Sequence, residues 1–391
     1  MRETDIAIVG AGLAGSLAAV MLGRAGQSVT LVDPFESCRP DFRCEKLEEA
    51  HVDTLRRAGV LDEVLPAALR YENIWVARLG RLAEIKAIVE YGIEYSALVN
   101  RLRGLIPRDV AYLQSKVAGL AVTPERQMLA LTNGEQVSAR LVIGANGVMA
   151  DLIGARREIR RCHSVSIGFD VDHANWPFDA LTYFGENPTQ RVAYLTLFPL
   201  PSSGGRANLF VYRELNDPWI KRLRDNPAGM IAQTLPGLAQ FTGALRVTGP
   251  IKIRPVDLTA TGDLLRPGVA LVGDAFATAC PVSGTGAAKA LLDAERLCNV
   301  YVPQWLASPG MSVEKIAQFY NDADKRQSDA HSFRTSMFAK RAALGQGLLW
   351  TAFRWSYFAG AQARHFLEHG EPAGMPHENV PPLPAARIAR A

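Results

Sequence analysis

Ile6-Ala7-Ile8-Val9-Gly10-Ala11-Gly12-Leu13-Ala14-Gly15 is the stretch on which the fold turns. Four apolar residues, the mark of a short strand buried on both faces, run straight into a G-x-G-x-x-G. From Ser16 to Ala25 the chain is rich in Ala and Leu and predicts a helix that Gly26 stops. A second strand, Ser28 to Val32, ends in Asp33, 18 residues beyond Gly15. Gly10 permits the tight turn, Gly12 lets the backbone approach a pyrophosphate, and Gly15 lets helix and strand pack closely. The helix N-terminus offers unpaired N–H groups and a positive dipole end to phosphates. Asp33, at the strand tip, is placed to accept both hydroxyls of an adenine ribose. A bare G-x-G-x-x-G is a weak signal, but strand, turn, helix, strand and acid in register form the dinucleotide-binding pattern.

The whole chain of 391 residues has the composition of a large packed protein: 48% hydrophobic, 21% charged. These proportions exclude a disordered tail, a fibrous chain or a small disulfide scaffold. Length alone suggests two domains or three lobes. A net charge of +4 with no basic run argues against a nucleic-acid partner. Cys38, Cys44, Cys162, Cys280 and Cys298 form no C-x-x-C and have no nearby His, so no metal site is expected and a reducing compartment is. The start MRETDIAIVG lacks a secretory apolar region, and no run is long enough to span a bilayer, so the expected location is cytoplasmic with no integral membrane segment.

Further along, Glu45 to Gly59 and Ala97 to Leu105 have helical spacing, and 73–95 reads as two or three strands. Asn133-Gly134 between alternating runs predicts a hairpin, and Arg140 to Gly144 a third buried strand. From Ser164 to Pro255 the pattern becomes an antiparallel sheet, with strands at Val165–Asp170, Val192–Phe198 and Ala207–Tyr212 and a helix near 226–235. Residues 287–300 and most of 303–370 predict helices, and the proline-rich 371–391 an extended tail.

A second fingerprint follows at Gly268-Val-Ala-Leu-Val-Gly273-Asp274-Ala275, then Pro281-Val-Ser-Gly284-Thr285-Gly286 opening a helix. Together with Gly144-Ala145-Asn146-Gly147, the chain resembles the flavin-dependent aromatic hydroxylases of the para-hydroxybenzoate hydroxylase type. Flavin-dependent halogenases and geranylgeranyl reductases are their relatives. The resemblance covers about the first 300 residues. It implies FAD, with Asp274 at the ribityl chain and the Pro-x-x-Gly-x-Gly turn laying a helix N-terminus against the pyrimidine end of the ring. A helix N-terminus there stabilises the negative charge of reduced flavin. By the same resemblance the FAD site comprises Gly10, Gly12, Leu13, Ala14, Gly15, Asp33, Arg43, Val117, Asp274, Pro281, Gly284, Thr285, Gly286 and Ala287.

The resemblance also implies the fold class: α/β, a Rossmann-type, glutathione-reductase-like FAD-binding domain with an inserted antiparallel β-sheet substrate domain and a helical C-terminal region. The expected FAD-binding segments are 1–72, 98–160 and 262–300, the substrate domain 73–97 and 161–261, and the C-terminal region 301–391. The implied reaction is insertion of one oxygen atom of O2, through a flavin C4a-(hydro)peroxide, into a small aromatic or hydrophobic substrate, with NADPH or NADH as electron donor. A homodimer and a separate flavin reductase are partners to test. The alternatives are a halogenase or reductase on the same scaffold, or an FAD-binding protein without turnover; the Trp-x-Trp-x-Ile-Pro motif of tryptophan halogenases is absent.

The chain departs from the family pattern at Asn146, where the family has Asp, at Tyr95, and at Phe276-Ala277, where a His is usual. Asn146 gives up a charge on the nicotinamide route. Lys46 lies near Arg43 in sequence, and Cys280 beside Pro281; a solvated charge and a small buried thiol are their ordinary roles. Lys289, one turn into the expected flavin-facing helix, either reaches an anion or snorkels at the surface. No motif names a catalytic residue. GQGLLWTAFRWSYF, residues 345–358, gathers five aromatics around Arg354. It is suited to packing on its own core, or to a substrate entrance, a second subunit or a membrane surface.

Overall fold

A computed structural model describes residues 1–43, 45–172 and 176–374. Cys44, His173 and the tail 375–391 lie outside the described residues. The chain divides into two compact units, each assembled from separated segments.

The first unit comprises Met1–Ala68, Ile93–His163 and Val256–Met337. Its sheet runs Ala111–Leu113, Val29–Val32, Arg2–Val9, Gln136–Gly144, all parallel where they meet. Gln136–Gly144 then serves two neighbours: its second half pairs in parallel with Val269–Leu271, its first half antiparallel with Gln127–Leu131. Val117–Val122 extends that antiparallel arm. The Asn133-Gly134 turn joins the arm to the sheet, with Gly134 at φ +86° as a tight hairpin demands. Val9, Val32, Val142 and Leu271 are buried together in one cluster, which explains the unbroken apolar runs.

The first helix, Leu13–Arg24, begins three residues before the apolar spacing predicts and is buried from Leu13 to Gly23. It packs against the helices Tyr95–Gly104 and Gly286–Arg296. The helix expected from Glu45 is shorter, Glu49–Arg57, because Lys46–Leu47 is extended. The helix expected to reach 300 is α-helical only to Arg296 and continues as a π-helical turn, Leu297–Tyr301.

The second unit comprises Leu69–Gly92, Ser164–Pro255 and the chain from Phe338. Its strands run in the order Arg156–Val171, Gly204–Val211, Val192–Leu200, Ala180–Phe184, Leu69–Arg78, Arg81–Gly92. The last two form a hairpin over Leu79-Gly80, both at positive φ, so the expected two or three short strands at 73–95 are two long ones. One pair corrects the antiparallel expectation: Ala180–Phe184 runs parallel to Leu69–Arg78. A parallel pair needs a crossover, and here the chain leaves for the first unit between the two strands. The sheet's apolar side, with Ile167, Leu195, Leu197 and Leu209, is buried, as are Trp219 and Phe241 of the helices that follow it.

The helix expected near 226–235 is one of two, Pro218–Asp225 and Pro227–Thr234, each capped by the side chain before it. The helices expected as a separate C-terminal region are instead shared: residues up to Met337 cluster with the first unit, those from Phe338 with the second. The long helices Ala323–Leu344 and Leu348–His369 meet at the turn Gly345–Gly347. Among the described residues, no helix is long and apolar enough to cross a membrane.

Candidate functional site

Three glycines in the opening loop are held to glycine for different reasons. Gly10 sits at φ +103°, and a β-carbon there would lie 3.0 Å from Asn146 Cβ. At Gly15 it would stand 1.9 Å from the Gly10 carbonyl oxygen, so no side chain fits. Gly12 is different. Its backbone is ordinary, and the nearest atom to an added β-carbon is Tyr95 Oη, 3.8 Å away. The protein itself does not demand glycine at 12; the open space beside it does, if something must approach the backbone there. Leu13–Arg24 starts at this spot without a side-chain cap, leaving N–H groups of its first turn for a ligand.

Asp33 is fastened to that loop: its Oδ2 accepts the Ala11 N–H at 2.7 Å and its Oδ1 the Phe35 N–H at 2.9 Å. Four lone-pair positions leave the carboxylate further acceptor capacity. Arg103, unremarked in the sequence, holds the arrangement from behind. It donates twice to the Ala11 carbonyl, at 2.9 and 2.6 Å, and to the Phe35 carbonyl at 2.7 Å.

Arg43 and Asp274, 231 residues apart, meet through a 2.9 Å ion pair, and Arg43 Nε donates to Asp41 at 2.6 Å. Both side chains of the pair stay accessible, Asp274 by half. The guanidinium carbon stands 5.7 Å from the centre of the Tyr95 ring. Burial pushes the Tyr95 hydroxyl up to about 12, so it stays a neutral donor beside Gly12. Lys46, the other basic residue of this region, is occupied by Glu48 at 2.7 Å.

The Gly273-Asp274-Ala275 turn is anchored from below. Gly273, at φ +58°, donates its N–H to Asp293 Oδ2 at 2.8 Å, tying the turn to the helix Gly286–Arg296. Asp293 belongs to a buried square of charge. Lys289 reaches Asp293 at 3.3 Å and Asp329 at 3.1 Å, and Lys325 reaches the same two at 2.9 and 3.1 Å. Phe276 caps the square, 3.8 Å below Lys325 Nζ at its ring centre. Lys289 therefore neither snorkels at the surface nor reaches an anionic ligand: Asp293 and Asp329 hold its ammonium charged against the cost of burial. Lys325 goes the other way, burial drawing it below its usual range. Asp293 is held below the usual carboxylate range, since both lysines outweigh desolvation.

Pro281–Ser283 forms a short 3-10 turn, and Gly284 follows at φ +70° with nothing within 4 Å of an added β-carbon. Ser283, Thr285 and Ser332 form a hydroxyl chain, both links 2.8 Å, that fixes the entry to Gly286–Arg296. That helix too begins without a side-chain cap, with Gly286 and Ala287 in its partly exposed first turn. Cys280 is wholly buried, the ordinary role for a small thiol. Val117 packs on the core cluster that includes Val32. Asn146 Oδ1, beside Gly10, is buried and without a hydrogen-bond partner among the described residues.

One face of the second unit's sheet carries polar and aromatic side chains that no motif announced. Asn208 lies opposite Thr196 and Gly168, and Phe210 opposite Tyr194 and Ser166, so these side chains share a face. Tyr194 and Phe210 rings are 4.9 Å apart. Ser166 Oγ is buried there without a partner among the described residues.

An open cradle at Gly12, two uncapped helix starts, an acid at the strand tip and an orphaned Asn146 acceptor suit an extended, anionic dinucleotide such as FAD. Comparison with known proteins agrees. The family model described as FAD binding domain matches residues 3–301. The chain is 27% identical over 330 residues to 3-demethoxyubiquinol 3-hydroxylase of Escherichia coli, covering 77% of this chain and 80% of that protein. It is 25% identical over 346 residues to digeranylgeranylglycerophospholipid reductase 1 of Methanococcoides burtonii, covering 81% and 78%. In fold it is similar to p-nitrophenol 4-monooxygenase of Pseudomonas putida, with a TM-score of 0.75 at 17% identity over 94% and 97% of the two chains. The chain belongs to the FAD binding domain family and is a flavoprotein oxidoreductase of the monooxygenase kind.

Proposed function

We propose that this flavoprotein places one oxygen atom of O2 on a small aromatic or hydrophobic substrate, using electrons from NADPH or NADH. FAD supplies the electron transfer and the activation of dioxygen when bound. The chain's own residues bind, orient and screen. Gly10, Gly12, Leu13, Ala14 and Gly15 present backbone to the pyrophosphate, Asp33 takes the adenine ribose, and Arg43 with Asp274 holds the ribityl region. Val117 lies on the adenine side. Pro281, Gly284, Thr285, Gly286 and Ala287 aim an uncapped helix start at the ring, where it stabilises charge on the reduced form.

The observation that carries the cofactor half of this reading is the empty space beside Gly12, which ordinary backbone geometry leaves unexplained. The substrate half rests on the sheet face with Tyr194, Phe210, Asn208, Thr196 and the unpartnered Ser166 hydroxyl. Two rings packed at a tilt, with a few placed polar groups, suit an aromatic body bearing a hydroxyl or carbonyl. A cytoplasmic, homodimeric enzyme goes with this reading, either reduced directly by the nicotinamide or served by a separate flavin reductase.

The test uses the purified protein with labelled dioxygen and a panel of phenols and quinols. A flavin spectrum, substrate-stimulated oxidation of NADPH or NADH, and one labelled oxygen in the product are expected. Similarity to a digeranylgeranylglycerophospholipid reductase favours a second reading, a reductase on the same scaffold. Anaerobic reduction of an alkene without label would select it, and halide incorporation would select a halogenase. Bound flavin that no donor and substrate turn over would mark a non-catalytic role, and failure to take up FAD would overturn the cofactor assignment.

A further inference from the structure

We propose that the helix Leu348–His369 and the turn before it dock on an anionic lipid surface. The helix is turned the wrong way for a soluble surface. Its inward side carries Ala361 and His365, both buried, with Arg354 bonding back to the Gly345 carbonyl at 2.8 Å. Its outward side is apolar: Leu348 is 89% exposed, Leu349 86% and Leu367 83%, with Trp355 and Phe366 about half exposed. At 3.6 residues per turn, Leu348, Trp355 and Phe366 fall about two and five turns apart on one line, beside Leu349 and Leu367. Ala352, Ala359 and Ala363 fill the space between them, and no charged residue interrupts this face. The stripe therefore runs the length of a helix about 33 Å long.

Charge selects the partner. From Phe338 to His369 the sequence contains Lys340, Arg341, Arg354 and Arg364 against a single acid, Glu368. Arg364 is matched by Glu84 at 3.1 Å, while Arg341 is exposed and forms no ion pair among the described residues. The uncapped start of the helix adds positive dipole at the same tip as Leu348 and Leu349. An apolar stripe flanked by cations and interfacial aromatics is the composition that lies in a headgroup layer. A second copy docked through this face would bring like charges together, whereas an anionic bilayer answers both features at once.

The measurement is co-sedimentation of the full-length protein with vesicles of phosphatidylglycerol and phosphatidylcholine in equal parts, against phosphatidylcholine alone. Binding to the anionic vesicles, weakened by about tenfold or more in high salt, is expected. The double variant Leu348→Glu, Leu349→Glu should lose about tenfold or more of it while keeping the wild-type flavin spectrum and circular dichroism. Failure of the wild type to sediment with anionic vesicles overturns the proposal, as does equal binding by the variant. A dimer in analytical ultracentrifugation that the same variant dissociates, without vesicle binding, would assign the face to a second copy instead. None of these outcomes depends on which reaction the flavin site performs.

Discussion

Asp293 Oδ1 lies 2.9 Å from Lys325 Nζ with both side chains wholly buried, while Asp293 Oδ2 takes the Gly273 amide. One carboxylate thus anchors two ammonium groups and the turn that carries Asp274. Removing one partner of such a set leaves uncompensated charge, which costs about 3–5 kcal/mol. Asp293→Asn, which can still accept from Gly273, should lower unfolding free energy by that order in urea titration. A loss under about 1 kcal/mol would show that Asp329 alone satisfies both lysines.

Acid should destabilise the first unit in a way that names its carboxylates. Asp293 and Asp322 are both held below their ordinary range against burial, the latter by Arg296, the Lys325 amide and Tyr301. A carboxylate depressed by folding contributes stability above its unfolded value, about 3.9, and loses it as pH falls through the folded value. Stability should therefore decline progressively below about pH 5. Asp322→Asn should have a shallower acid limb than wild type, measured by thermal unfolding across pH. Lys289, held above its range, adds stability that is lost only as pH rises beyond about 10.4. Lys325, drawn below its range by burial, has the opposite sign: its penalty is relieved as pH rises towards about 10.4 from below.

The glycine loop separates fold from binding by single methyl groups. Gly15→Ala forces a carbon into the Gly10 carbonyl and should destabilise by about 1–3 kcal/mol or more. Gly12→Ala meets only Tyr95 Oη at 3.8 Å, so its stability without cofactor should match wild type. Its FAD affinity should fall by about tenfold or more, read by fluorescence titration of the apoprotein. Equal affinity would mean that nothing approaches the backbone there.

Arg43→Ala breaks an accessible ion pair, and such pairs contribute at most about 1 kcal/mol. Unfolding should barely shift, yet FAD should dissociate faster in a stopped-flow release measurement. A stability loss without a change in FAD release would make Arg43 a structural residue only.

What could be read beforehand was whatever lies close along the chain. The Gly10–Gly15 loop, Asp33, the Asn133-Gly134 hairpin and the helix after Gly284 all declare themselves through spacing of a few residues. Long-range partners left no such trace. Arg43 with Asp274, and Arg103 with Ala11, join positions that only the folded sheet brings together. Lys289 has the spacing of a surface residue, and nothing local reveals that Asp329 lies across from it. The parallel pairing of Ala180–Phe184 was hidden for the same reason: it depends on where the chain has been in between. The sheet face with Asn208 and Ser166 shows only strand alternation, which does not tell a buried polar side from a solvated one.

The threading of the chain through both units sets the order of synthesis against the order of assembly. Arg2–Val9 emerges from the ribosome well before its neighbour Gln136–Gly144, and the partner Val269–Leu271 comes later still. Until then the second half of Gln136–Gly144 presents an unpaired parallel edge to the cell. Nascent chains of intermediate length should therefore be the ones that chaperones must shelter, and neither unit can be inherited, swapped or expressed without carrying pieces of the other.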